Sequence, residues 1–178
     1  LNARFGNELV NHKTYVMCGD GDLMEGISHE ACSLAGHLKL GNLIVMYDDN
    51  DISIDGPTSL SFTEDVLKRF DSYGWATSRV DGHDFAAIES ALAAAQNSDK
   101  PVLIACKTKI GFGSPNKQGT SGVHGSPLGS EETTAARQHL GWTAAPFEIP
   151  ADILHAWRAV GTRGQTESYA WQKRLDAS

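Results

Sequence analysis

Three near-continuous apolar runs constrain this chain more than any other feature: TYVMC (14–18), LIVMY (43–47) and VLIACKT (102–108). A strand with one wet face alternates with period two, so runs of this kind predict strands buried on both faces of a parallel sheet. WATSRV (75–80) reads as a fourth strand. Between the first two, Leu23, Met24, Ile27, Ala31, Leu34, Ala35 and Leu38 recur at helical spacing. That predicts one unbroken amphipathic helix stopped at Gly41. A second helix is expected from Ser61, with Glu64 completing a capping box, to Gly74. A third, rich in alanine, runs over 85–96. Strand and helix alternate, which predicts an α/β fold of three layers, α/β/α, around a mostly parallel sheet with right-handed crossovers.

After Thr108 the pattern fails. KIGFGSPNKQGTSGVHGSPLGS (109–130) holds six glycines and two prolines without periodicity. A loop this long in a compact domain is usually functional or disordered. Helical patterns return at 130–140 and again after Pro150, the last reading as a linker or surface helix. LNARFGNELV (1–10) resembles the tail of a helix already under way, with Leu1, Phe5, Leu9 and Val10 on one face, so the chain is expected to begin inside a larger gene product.

Composition narrows the function. A net charge of −7 with no basic stripe argues against nucleic acid. The apolar runs are too short to span a bilayer, and no charged-then-apolar leader opens the chain. Cys18, Cys32 and Cys106 are odd in number and lack CxxC spacing, which points to a reducing cytoplasm and no zinc site.

The chemistry concentrates in GDGDLMEG (19–26), which follows the first strand where ligands bind open parallel sheets. No GxxxxGK[ST] is present, and Met24 occupies the third glycine position of a dinucleotide fingerprint. A cation explains Asp20 better. Mg2+ takes one or two protein oxygens and completes its shell with water and phosphate. A second oxygen cluster, YDDNDISIDG (47–56), follows the next strand, and Asp20 and Asn50 lie one βαβ unit apart (50 − 20 = 30). Together they can grip one ion that bridges to a diphosphate on the Gly21 backbone. Plainer readings stand beside this one. Asp20 can be a helix cap that complements the dipole, worth about 0.3–1 kcal/mol. YDDND can be a solvated turn, Glu25 a first-turn acid, and His124 a surface histidine.

The stretch GDGDLMEGISHEACSLAGHLKLGNLIVMYDDNDISIDG resembles the thiamine-diphosphate motif of transketolase. CKTKIGFGSPNKQGTSGVHGSPLG and LGWTAAPFEIP are similar to later segments of the same family, so the resemblance runs from about Phe5 to at least Glu148. It implies an incomplete diphosphate-binding domain of the thiamine-diphosphate fold over 1–148, and a helical segment and linker over 149–178 toward a missing second domain. By the same resemblance, Asp20 and Asn50 coordinate Mg2+ (or Ca2+ in its place) through side chains and Ile52 through its carbonyl. Gly19 and Gly21 belong to the cofactor site, Gly21 through its N–H. Glu25 joins glutamates that link two cofactors across a homodimer. Ile110 packs near the cofactor rings, and His124 contacts the diphosphate and the substrate's donor end.

The implied reaction moves a two-carbon ketol unit between sugar phosphates in the cytoplasm, as in the pentose phosphate pathway. The implied partner is a missing pyrimidine-binding domain or second chain. The chain departs from the family at Asp22, at the acid following Asn50, and at Ser121, where many members carry a second histidine. Two other readings remain open: a non-catalytic structural half that acts only by assembling with another chain, and a Mg2+-dependent phosphohydrolase built on the YDDND aspartates with Lys107 or Lys109.

Overall fold

A computed structural model describes all 178 residues. In chain order the elements are α1 (Asn2–Phe5), β1 (Thr14–Gly19), α2 (Asp20–Met24), α3 (Gly26–His37), β2 (Leu43–Asp49), β3 (Ile52–Ser53), β4 (Gly56–Pro57), α4 (Val66–Ser72), β5 (Ala76–Asp81), α5 (Phe85–Ala95), β6 (Val102–Lys107), α6 (Ser130–His139) and α7 (Ala151–Asp176). Single 3-10 turns lie at Thr58–Leu60 and Ser121–Val123. They form two compact units: Lys13–Leu140, and Leu1–His12 with Gly141–Ser178.

In the larger unit four strands pair in parallel in the order β1-β2-β6-β5. Successive residues of β2 and β6 point to opposite faces and feed two cores. Val45, Tyr47, Leu103 and Ala105 pack with Leu23, Ala35, Val66 and Phe70 from α2, α3 and α4, and with Trp75, the residue before β5. Ile44, Val102 and Ile104 pack with Ala95 of α5 on the other face. The three-layer architecture expected from the sequence is present.

β2 and β6 are buried as their apolar runs predict, and β1 is not. Tyr15, Val16 and Met17 are exposed, Met17 at 79%. The reason is position: β1 is an edge strand, and its apolar composition reports what its sequence can bury rather than what covers it here. The helix after it also departs from expectation. It breaks at Glu25, whose ψ of 136° is extended, so α2 and α3 are separate. Asp22 accepts a hydrogen bond from the Gly19 amide (2.8 Å), and the Ser28 hydroxyl donates to the Asp22 carbonyl (2.5 Å), closing the short α2 on itself. Ile27, Leu34 and Leu38 stay exposed.

α3 ends at His37 with Lys39 left-handed (φ 50°), not at Gly41. Gly36 has a packing reason instead: a Cβ there would lie 1.9 Å from the Tyr73 carbonyl oxygen. α4 begins at Val66 rather than Ser61, because Asp65 accepts from the Lys68 amide (3.2 Å) as its N-cap. Glu64 pairs with Arg69 (2.6 Å) instead of closing a capping box.

In the smaller unit α1 is a single turn, ended by Gly6 at φ 77°, so the longer N-terminal helix expected from the sequence does not form. α7 runs 26 residues with none buried, the surface helix expected after Pro150. Trp171 Nε1 donates to the Leu9 carbonyl (2.8 Å) and Arg174 Nε to that of Glu8 (2.9 Å). No helix is long and apolar enough to cross a membrane.

Candidate functional site

The carboxyl ends of β1 and β2 lie side by side, with Gly19 opposite Asp48 in register. α2 leaves β1 at once, which places Asp20 in its first turn and buries it to 4% exposure. The Tyr47 hydroxyl donates to Asp20 Oδ1 (2.5 Å). Oδ2 is buried and has no hydrogen-bond partner. Burial pushes the Asp20 carboxyl above its ordinary value; the Tyr47 hydrogen bond opposes this, Asp49 and Asp51 add to it, and the Asn50 backbone amide draws it down. Asp20 and Asn50 are therefore neighbours, as the one-unit spacing requires.

Asn50 is oriented from both ends. Its Oδ1 accepts from the Ile52 amide (2.9 Å) and its Nδ2 donates to Asp48 Oδ2 (3.2 Å), while Thr108 Oγ1 donates to Asp48 Oδ1. Ile52 opens the β3–β4 hairpin. A buried carboxylate oxygen and an amide oxygen thus lie at one end of the sheet, with the β3–β4 hairpin opening two residues after Asn50. No group of three or more His, Cys, Asp or Glu side chains forms a metal cage. Hard oxygen donors in so small a number suit Mg2+ or Ca2+ that completes its shell with phosphate and water. The residues present fit the ion.

The acids beside Asn50 have other work. Buried Asp49 accepts from Arg79 Nη1 through Oδ2 (2.5 Å) and from Lys107 Nζ through Oδ1 (3.1 Å). Lys107 also pairs with Asp51, which sits left-handed at φ 63°. Burial alone would lower the Lys107 pKa, but the Asp51 and Asp49 hydrogen bonds raise it above the ordinary lysine value. This ladder ties β2, β6 and β5 together and stands between two cavities. One of about 620 Å³ is lined by Asp20, Tyr47, Thr58 and Glu64. The other, of about 820 Å³, is lined by Asn50, His83, Lys109 and Phe112. Asp48, Asp49 and Asp51, the acids that the phosphohydrolase reading would use, are all engaged in bonds that brace the ends of β2, β5 and β6. The cysteines are unpaired, and burial with nearby acids pushes the Cys18 thiol up to about 12, which leaves it a poor nucleophile at neutral pH.

Gly21 lies exposed in the first turn of α2, with open space where a side chain would stand. The Gly19 amide is already taken by Asp22, which gives Asp22 a structural role that its sequence position alone left unassigned. Glu25 is exposed at the α2–α3 break, and His124 is exposed after the second 3-10 turn, its amide donating to the Ser121 carbonyl (3.0 Å). Neither hydrogen-bonds to the Asp20–Asn50 pair. Ile110 is half-buried, its carbonyl accepting from the Gly119 amide (2.8 Å) and closing the loop 110–119 that precedes His124.

Glu132, on α6, anchors that loop. It accepts from Ser114 Oγ, the Asn116 amide (2.9 Å) and Asn116 Nδ2 (2.9 Å). These bonds, with Lys117 nearby, hold its carboxyl down at about 2. A lowered carboxyl contributes stability above its ordinary value of 4.5, and that contribution is lost as pH falls through about 2. Glu132→Gln is therefore expected to flatten the acid limb of the stability curve and to raise hydrogen exchange across 110–120. An unchanged acid limb in a pH series of thermal melts would remove Glu132 as the anchor.

Sequence reasoning gave Tyr47 and Glu132 no role and took Asp48 only as one of the YDDND aspartates, not as the residue that orients Asn50. Tyr47 carried one usable signal: a hydroxyl ending a buried run needs a partner. Glu132 carried none, because an acid in a helix's first turn is ordinary.

The family model described as "Transketolase, thiamine diphosphate binding domain" matches residues 1–178. Transketolase of Cereibacter sphaeroides is 52% identical over 177 residues, which are 99% of this chain and 27% of that protein. Transketolase 1 of Escherichia coli (strain K12) is 53% identical over 182 residues, again 99% of this chain and 27% of the relative. The crystal structure of transketolase from Campylobacter jejuni superposes with a TM-score of 0.93 at 42% identity, covering 97% of this chain and 28% of that one. That of Leishmania mexicana gives 0.89 at 42%, covering 95% and 26%. The chain spans about a quarter of the length of the relatives it matches.

Proposed function

This chain belongs to the transketolase family, matching its thiamine diphosphate binding domain along the whole length, and from that premise we propose that it supplies the diphosphate and Mg2+ half of a ketol-transferring active site. The observation that carries the reading is the buried, unpartnered Oδ2 of Asp20 beside Asn50. Asp20 and Asn50 hold the ion through side-chain oxygens and Ile52 through its carbonyl, and Ca2+ suits the same donors. Gly19 and the exposed backbone of Gly21 seat the diphosphate. The cofactor, when bound, supplies a nucleophilic carbon and an electron sink.

The protein's part is to bind and orient. Asp20 offsets the ion's charge, Ile110 packs near the rings, and His124 offers a ring nitrogen to the diphosphate and to the donor end of a sugar phosphate. Glu25 faces a second copy in a homodimer. Residues 1–148 act as the diphosphate domain, and 149–178 lead toward a pyrimidine-binding domain or second chain. The setting is the cytoplasmic pentose phosphate pathway.

The bare β1 edge, with Tyr15 and Met17 exposed, supports a second reading in which the chain acts only by assembling with further polypeptide. One experiment separates them. Calorimetry on the full-length natural protein with thiamine diphosphate, with and without Mg2+, is run beside an assay of two-carbon transfer from a ketose phosphate to an aldose phosphate. Mg2+-dependent binding with turnover is expected. Binding indifferent to Mg2+ and to chelator overturns the metal assignment, and Mg2+-dependent binding without turnover favours the structural reading.

A further inference from the structure

We infer that Tyr47 is a positioning residue for the cation: its hydroxyl fixes the Asp20 carboxylate through Oδ1 and leaves Oδ2 open for the ion. The inference rests on the reading of Asp20 as a metal ligand. Tyr47 stands on β2 opposite Cys18 of β1, two residues short of Asp20. It is 3% exposed and packs among Val45, Leu103 and Ala105, which fixes the ring. Phenylalanine would fill the same space, so the hydroxyl needs its own explanation. A buried hydroxyl is nearly always hydrogen-bonded, and a backbone carbonyl would serve a purely structural tyrosine. Here the partner is the carboxylate whose other oxygen is buried without one (2.5 Å).

The surroundings support the same role. The cavity shared by Tyr47 and Asp20 is also lined by Asp49, Asp51, Glu64 and Asp65 against Arg79 and Lys107, an excess of negative charge that draws cations. Ligating carboxylates are commonly held by such a second hydrogen bond, which fixes their orientation.

The test uses Mn2+ as the probe, titrated by electron paramagnetic resonance into the full-length protein with thiamine diphosphate present. Tyr47→Phe is expected to weaken Mn2+ binding by about tenfold in protein that still unfolds in one cooperative transition, at a lowered midpoint because Asp20 Oδ1 loses its donor. Asp20→Ala is expected to abolish saturable binding. If Asp20→Ala binds Mn2+ as wild type does, the metal-site reading itself fails. If Asp20→Ala loses the ion and Tyr47→Phe matches wild type, Tyr47 has no positioning role. Should Tyr47→Phe fail to fold, a fluorinated tyrosine placed at position 47 answers the same question. Its fluorine resonance is expected to move on addition of Mg2+, and a resonance that does not move overturns the inference.

Discussion

Asp20→Asn is expected to produce two opposite effects in the full-length protein: loss of Mg2+-dependent thiamine diphosphate binding, and a gain in stability of the metal-free form. The binding loss follows because Asp20 is the only charged member of the proposed ligand set of Asp20, Asn50 and the Ile52 carbonyl. Removing it should cost at least the roughly 100-fold seen at the upper end for changes one shell further out. The stability gain follows because burial penalises the charged form of the Asp20 carboxyl, and an uncharged amide in the same place carries no such penalty. Asparagine keeps an acceptor for Tyr47 while removing the charge.

The sign with pH can be worked out. Burial raises the Asp20 pKa above its ordinary value of 3.8. Its contribution to stability is therefore present below that value and is lost as pH climbs through the raised one. Asparagine does not titrate there, so the variant's advantage over wild type should widen with rising pH. Urea titrations in chelator across a pH series, beside calorimetry with Mg2+, measure both effects. A variant that binds the cofactor normally ends the metal assignment. One that gains no stability shows that the buried charge carries no penalty in the metal-free protein.

The largest stability effect is expected from Phe70→Ala. Phe70 is 1% exposed on α4 and meets Trp75 edge-on at 4.9 Å and Tyr73 at 5.8 Å. Truncating a buried phenylalanine costs about 3–5 kcal/mol, a large part of the roughly 5–15 kcal/mol that holds a domain together. The consequence reaches the site through α4. Arg69, the preceding residue, donates to the Leu23 carbonyl at the end of α2 (3.1 Å) and contacts His29 of α3 (3.1 Å). Phe70 and Leu23 share one core. Loosening α4 should therefore loosen the short helix that carries Asp20, so cofactor affinity is expected to fall with the denaturation midpoint. A variant that loses stability but binds normally would show α2 to be held by β1 and β2 alone.

Much of the fold was legible because parallel sheets leave a local mark. The runs ending at Tyr47 and Thr108 lie on β2 and β6, the two central strands, where burial on both faces forbids polar alternation. The same logic misplaced β1, whose equally apolar run lies at an edge. The start of α5 was legible at Phe85, where the structure shows Asp84 accepting from the amides of Ala86 and Ala87. The start of α4 was misread where several side chains competed. Ser61 and Glu64 made a sound capping box on paper, yet Asp65 won because Glu64 was drawn to Arg69.

What the sequence determined by itself is the alternation of strand and helix and the chemical type of the site: an acid at a helix start and an amide one βαβ unit later. Both rest on periodicity and on short spacings, which chain geometry fixes without knowledge of the rest. Only the tertiary structure decided which strand is left at the edge, that Glu25 breaks the helix, and that Asp49 and Asp51 are tied up by Arg79 and Lys107. It alone joined Tyr47 to Asp20. Apart from the break at Glu25, which goes with the local bonds of Asp22, these outcomes depend on residues about 30 or more positions apart, brought together by the order in which strands lie side by side.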